Sequence, residues 1–133
     1  MKILSIDFGL KRVGLAEADT EVRIAFALDP IVLNGKTNLI PKIKEIVSDK
    51  NIELILVGIP LGFDQKETQM SKKVLKFIED LGCEIPDIKI KALNETLTSK
   101  QASANLRLGK SKRSIDSESA RIILQEYLDH HFY

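Results

Sequence analysis

Asp7, Glu95 and Asp116 are far apart in the chain, yet each stands where a regular segment ends or begins. Asp7 closes an apolar run just before Gly9, Asn94-Glu95 closes another, and Asp116 opens a helical pattern. Carboxylate oxygens suit hard divalent cations such as Mg²⁺ or Mn²⁺, which also retain several waters. Two such ions about 3.5–4 Å apart can activate a water, stabilise a leaving oxygen and neutralise phosphoryl charge, the needs of phosphodiester hydrolysis. On this reading Asp7 anchors or bridges both ions, Glu95 holds one, and Asp116 completes the other while orienting water. Each residue also has a plainer use. An Asp before Gly forms turns, an acid ahead of a helix is favoured by the dipole, and an Asp opening a helix caps it. Their meeting at one edge of a fold is what separates the two readings.

Cations flank these acids in the sequence. Lys11 and Arg12 follow Asp7, while Arg107, Lys110, Lys112 and Arg113 precede Asp116, so both groups could grip a phosphate backbone. Such contacts supply affinity without reading sequence, and the alternative is a pair of solvated loops. The net charge is +1, so any attraction to nucleic acid must come from this local clustering. Cys83 reads as a small apolar filler just after a helix. His130 and His131 are adjacent and point different ways on a helix, which argues against a metal site. Phe8 is expected to pack under the turn beside Asp7.

The elements that must position the acids follow from periodicity. Lys2–Phe8, Val13–Ala18 and Val22–Leu28 read as three strands of an antiparallel meander. From Thr37 to Asp49 the period changes, with Leu39, Ile40, Ile43, Ile46 and Val47 on one helical stripe and Pro41 early enough to be tolerated. Ile52–Pro60 is a nearly continuous apolar strand, expected inside the sheet. Met70, Val74, Phe77, Ile78 and Leu81 define a second helix, with Gly82 as its expected stop. Ile88, Ile90 and Ala92 alternate with Lys89 and Lys91, the pattern of an edge strand with one wet face. A helix over Thr98–Leu108 and another over Asp116–Asp129 close the chain, the last burying Ala120, Ile123, Leu124, Tyr127 and Leu128.

The order βββαβαβαα implies an α/β fold with a five-stranded mixed sheet and helices on both faces, the ribonuclease H-like order. Ligands of such sheets sit beyond the carboxyl ends of the parallel strands, which is where Asp7 and Glu95 fall. At 133 residues the chain is expected to form a single domain, 1–133. Hydrophobic residues at 44% and charged residues at 29% fit a soluble globular protein. No apolar run approaches the roughly 20 residues of a membrane span. A lone cysteine and a carboxylate at position 7, where a signal peptide would still be apolar, make the cytoplasm the expected compartment.

Four segments resemble the YqgF/RuvX family, Holliday-junction resolvase-like proteins associated with maturation of small-subunit ribosomal RNA. Ile6-Asp7-Phe8-Gly9-Leu10-Lys11-Arg12-Val13-Gly14-Leu15-Ala16 resembles the family's Asp-x-Gly-x-Lys-Arg-x-Gly-x-Ala motif. Val57-Gly58-Ile59-Pro60-Leu61 is similar to its second motif, and Glu95-Thr96-Leu97-Thr98-Ser99 with Ala102 to its third. Lys112 to Leu128, including Asp116 and Ser119-Ala120, is similar to its closing motif. The resemblance covers essentially the whole chain and carries the family's acidic positions onto Asp7, Glu95 and Asp116.

It implies a metal-dependent pre-16S rRNA nuclease acting in 5′-end processing, on structured RNA in a ribosomal subunit precursor. A resolvase-like endonuclease acting on branched DNA is the first alternative, and a catalytically weak RNA-binding assembly factor the second. Asn94 stands where the family usually has Asp, and Thr96 where it often has Arg, so a fourth acidic ligand and one hold on phosphate are missing. Nucleotide binding in the manner of actin-like kinases is a further rival, but those folds clamp nucleotide between two copies of this domain. A symmetric resolvase needs a homodimer, whereas an rRNA nuclease can act as a monomer.

Overall fold

The computed structural model describes residues 1–8, 11–33, 39–59, 69–94 and 112–131; the side chains of 69, 70, 94, 112–116 and 131 fall outside that description. Five strands, β1 (Lys2–Phe8), β2 (Arg12–Asp19), β3 (Ala25–Val32), β4 (Leu54–Ile59) and β5 (Lys89–Asn94), form one sheet in the order β3-β2-β1-β4-β5. β1 pairs antiparallel with β2, and β2 with β3, while β4 runs parallel to both β1 and β5. The helices are α1 (Leu39–Lys50), α2 (Gln69–Glu84) and α3 (Lys112–His131). This is the expected mixed sheet of the ribonuclease H-like fold; the helix expected over Thr98–Leu108 lies outside the described residues.

Strand alternation divides the core in two. Leu4, Ile6, Val13, Leu15, Ile55 and Val57 face α1 and α2, meeting Ile43, Val74, Phe77 and Leu81. Ile3, Ala16, Ala18, Leu54 and Leu56 face α3, meeting Ala120, Leu124, Tyr127 and Leu128. β4 is buried along its whole length, as its unbroken apolar run predicts for a strand covered on both faces.

Local chemistry sets the helix ends. α1 stops where Asn51 turns left-handed (φ 55°), its N–H donating to the Ser48 carbonyl at 3.4 Å and that of Ile52 to Val47 at 3.0 Å. That is a Schellman cap with Asn in the usual glycine position. α2 does not stop at Gly82 but runs to Glu84. Pro86 explains the difference, since the residue before a proline is pushed out of the helical region, while Ile85 still packs on the core. Cys83 is accordingly in the last turn of α2 and exposed, not a buried filler.

β3 starts at Ala25 and not at Val22. The Asp19 carbonyl accepts from Val22 and Arg23 N–H at 3.1 and 2.9 Å, and Arg23 sits at φ 63°. Val22 therefore lies in the turn and Ile24 just after it, and both are exposed. Further along, Val13 pairs with Ile31 but Leu15 pairs with Leu28, so Asp29 and Pro30 together oppose Gly14. A bulge on an edge strand is where a proline, lacking an N–H, is tolerated. β5 is the expected edge, but its second face is only partly wet: Lys91 lies over the Tyr127 ring, 5.5 Å from its centre, and its Nζ donates to the Tyr127 hydroxyl at 3.1 Å.

Candidate active site

Asp7 is inside β1, not in a turn after it, and only 6% exposed. Its alternation with Ile3 and Ser5 directs it to the α3 side of the sheet. Across the sheet its register partners are Gly14 on β2 and Gly58 on β4. Neither neighbour carries a side chain, so the carboxylate has flanking space on the face where strand neighbours normally crowd together. The bulge opposite Gly14 lies in the same row. Phe8 points the other way and meets Phe77 edge to face, ring centres 4.8 Å apart, as expected for a packing role.

The direction of α3 follows from its hydrogen bonds. Gln125 accepts from the Ala25 N–H at 3.0 Å and donates to the Arg23 carbonyl at 3.1 Å, at the level of Ala18 and Ile3. Ala120 meets Ser5, whose hydroxyl donates to its carbonyl at 2.6 Å. Moving toward the start of α3 is therefore moving toward the carboxyl end of β1. Asp116 lies one turn before Ala120 on the same helical stripe, which carries its backbone to the level of Asp7. The helix begins at Lys112, four residues before the expected start, so Asp116 is past the first turn and is not a cap. The plainer readings of Asp7 and Asp116 are thus both removed.

β5 ends at the same edge. Leu93 shares the row of Asp7 and Gly58, and Asn94 pairs with Ile59 one residue beyond. Glu95 follows Asn94 but lies outside the described residues, as do Arg107 and Lys110; Lys112 and Arg113 are in the first turn of α3, their side chains outside the description. No group of three metal-ligating side chains occurs among the described residues, which include Asp7 but neither Glu95 nor the Asp116 side chain.

Lys11 is exposed beside this edge. Arg12 alternates with Gly14 onto the α3 face and is half-buried. Its Nε and the hydroxyl of Ser117, itself 3% exposed, are buried with no hydrogen-bond partner among the described residues. Ser117 and Ser5 are polar groups on this face that their surroundings in the sequence did not single out. A lone serine in an apolar strand was the available signal for Ser5. Arg121 is occupied by Glu118, whose hydrogen bond holds the guanidinium above its ordinary range against the opposing effect of burial. His130 is exposed. A pocket of about 330 Å³ lined by Lys2, Glu17, Phe26 and Asp49 lies at the opposite end of β1, away from the acids.

The family described as RuvX, Holliday junction resolvase, matches residues 1–130. The chain belongs to this family. Among its relatives is a protein of Maridesulfovibrio salexigens, 33% identical over 133 residues, covering 96% of this chain and 98% of that one. A second, from Sulfurihydrogenibium sp., is 36% identical over 132 residues, with 96% and 90% covered. Both carry the name "Putative pre-16S rRNA nuclease". Among solved structures, RuvC of T. thermophilus in complex with Holliday junction substrate superposes with a TM-score of 0.65 at 18% identity, over 98% of this chain and 95% of that one. The Fowlpox virus resolvase with its Holliday junction DNA gives 0.66 at 15% identity over the full length of both chains. At these identities the likeness is one of fold. Among the described residues no helix is long and apolar enough to cross a membrane.

Proposed function

We propose that this RuvX-family chain is a cytoplasmic nuclease, a single domain that hydrolyses phosphodiester bonds in a structured ribosomal RNA precursor with Mg²⁺ or Mn²⁺ held by Asp7, Glu95 and Asp116. The observation that carries the reading is Asp7 itself: a buried strand carboxylate, flanked in its row by two glycines, at the edge toward which α3 brings Asp116. A carboxylate is a hard, oxygen-only donor, which fits these ions. When bound, the ions would supply charge neutralisation and an activated water. Asp7 would hold them, Asp116 would orient water, and Lys11, Arg12, Arg107, Lys110, Lys112 and Arg113 would hold the phosphate backbone on either side. The pre-16S rRNA nuclease name of relatives at 33–36% identity supports an RNA substrate.

The family description and the junction-bound likenesses favour a second substrate, branched DNA, on the same carboxylates. A homodimer would then be needed to cut two strands symmetrically, whereas RNA processing suits a monomer. Asn94, which adds no charge beside Glu95, is the feature that favours a weakly catalytic assembly factor. The discriminating experiment incubates the chain with RNA spanning the 5′ end of 16S rRNA and with a four-way DNA junction, each in Mg²⁺, in Mn²⁺ and in chelator. We expect metal-dependent cleavage of the RNA at least about 10-fold faster than of the junction, a margin of about 1.4 kcal/mol. Faster cutting of the junction would overturn the substrate assignment, and no cutting of either would favour the assembly factor.

A further inference from the structure

Ser5 is fully buried in the middle of the sheet, with Ala16 and Leu56 as its register partners and Ile3 and Leu54 on the same face. Packing gives no reason for a hydroxyl there, since an alanine would fill nearly the same volume with no polar group to satisfy. The hydroxyl donates to the Ala120 carbonyl, 115 residues away, at 2.6 Å. A helix carbonyl has a second lone pair beside the one used in the helix, so the bond adds to the ladder without breaking it. From Ser5 to Asp7 the strand advances about 6.6 Å, and from Ala120 to Asp116 the helix advances about 6 Å toward the same end. The bond therefore joins the two elements one step behind both acids. The rest of this face is apolar, so Ile3, Leu54, Leu56, Leu124 and Leu128 hold α3 by packing and not by directional bonds. The hydrogen bonds of Gln125 and Tyr127 act more than two turns from Asp116.

Resting on the nuclease reading above, we propose that Ser5 is a positioning residue, which fixes the height of α3 against β1 and so the separation of Asp7 and Asp116 across the metal-binding edge. A metal centre is sensitive to such placement, because misplacing reacting groups by about 1 Å can cost 10²-fold in rate. The test measures Mn²⁺ dissociation constants by calorimetry for the natural chain, Asp7→Asn, Ser5→Ala, Ser5→Thr and Ile3→Val. Ile3→Val trims the same face of β1 and keeps the hydrogen bond, so it reports plain destabilisation. We expect Ser5→Ala to weaken Mn²⁺ about 10-fold and to lower kcat with KM for RNA unchanged. Ser5→Thr should restore most of the affinity, and Ile3→Val should lower Tm with Mn²⁺ affinity intact. Natural Mn²⁺ affinity in Ser5→Ala, with Asp7→Asn impaired, would overturn this inference alone, as would an equal loss in Ile3→Val. Natural affinity in Asp7→Asn would overturn the nuclease reading and this inference with it.

Discussion

Asp7 lies buried on the α3 face of the sheet at the carboxyl end of β1, where open sheets with parallel strands take their ligands. The two glycines in its row leave the carboxylate flanking space. Valine suits a strand better than glycine does, so if Gly58 served only the strand, Gly58→Val would be harmless. We predict instead that Gly58→Val retains the natural far-ultraviolet circular dichroism but loses more than about 10-fold in Mn²⁺ affinity, comparable to losing an outer-shell partner. A natural Mn²⁺ titration would refute this. At this scale the sequence was informative about residue type and silent about setting. Asp7 was legible because it ends an apolar run beside a distinctive glycine and basic pattern, whereas the partnership of Ser5 with Ala120 depends on a packing between residues 115 apart.

Among the elements, α2 offers a direct check of how its end is determined. Gly82 is inside the helix, and an added Cβ there would meet nothing within 4 Å. Gly82→Ala should therefore stabilise the chain by about 0.5–1 kcal/mol through helix propensity and unfolded-state entropy. Were Gly82 a left-handed stop, the same change would lower Tm. At α3, Leu124 is fully buried beneath the sheet, and Leu124→Ala should cost about 2–5 kcal/mol, read as a drop in the urea midpoint. Periodicity located both helices because burial on one stripe leaves a 3.6-residue trace. It misjudged their ends, since Gly82 yields to Pro86 and α3 begins one turn early at Lys112. The start of β3 was misread for a related reason: Val22 and Ile24 are apolar, but the Asp19 turn ahead of them leaves them exposed.

For the whole molecule, strand order is what brings separate motifs to one edge. β1 and β4 run parallel at the centre, β5 joins them, and α3 crosses the opposite face from α1 and α2, so the carboxyl ends gather at one edge. The mixed sheet with helices on both faces followed from the order of elements, whereas the strand order came from the structure. Which cations reach the substrate did not follow, since long side chains around a sheet edge are placed by loops and not by periodicity. With a net charge of +1, nucleic-acid affinity must come from these local groups. We predict that RNA affinity falls steeply with salt, and that Lys11→Gln with Arg12→Gln reduces the slope of log K against log salt by about 1 for each phosphate no longer neutralised. An affinity flat between low and physiological salt would exclude the basic edge as the binding surface.

If Asp7 holds metal for phosphodiester hydrolysis, as proposed, single-turnover cleavage of a structured 16S precursor RNA in Mg²⁺ separates the natural chain from Asp7→Asn. Asp7→Asn should stay folded and bind RNA while losing more than about 100-fold in rate, beyond the range of an outer-shell change. Equal rates in the two proteins would leave Asp7 with no part in the reaction.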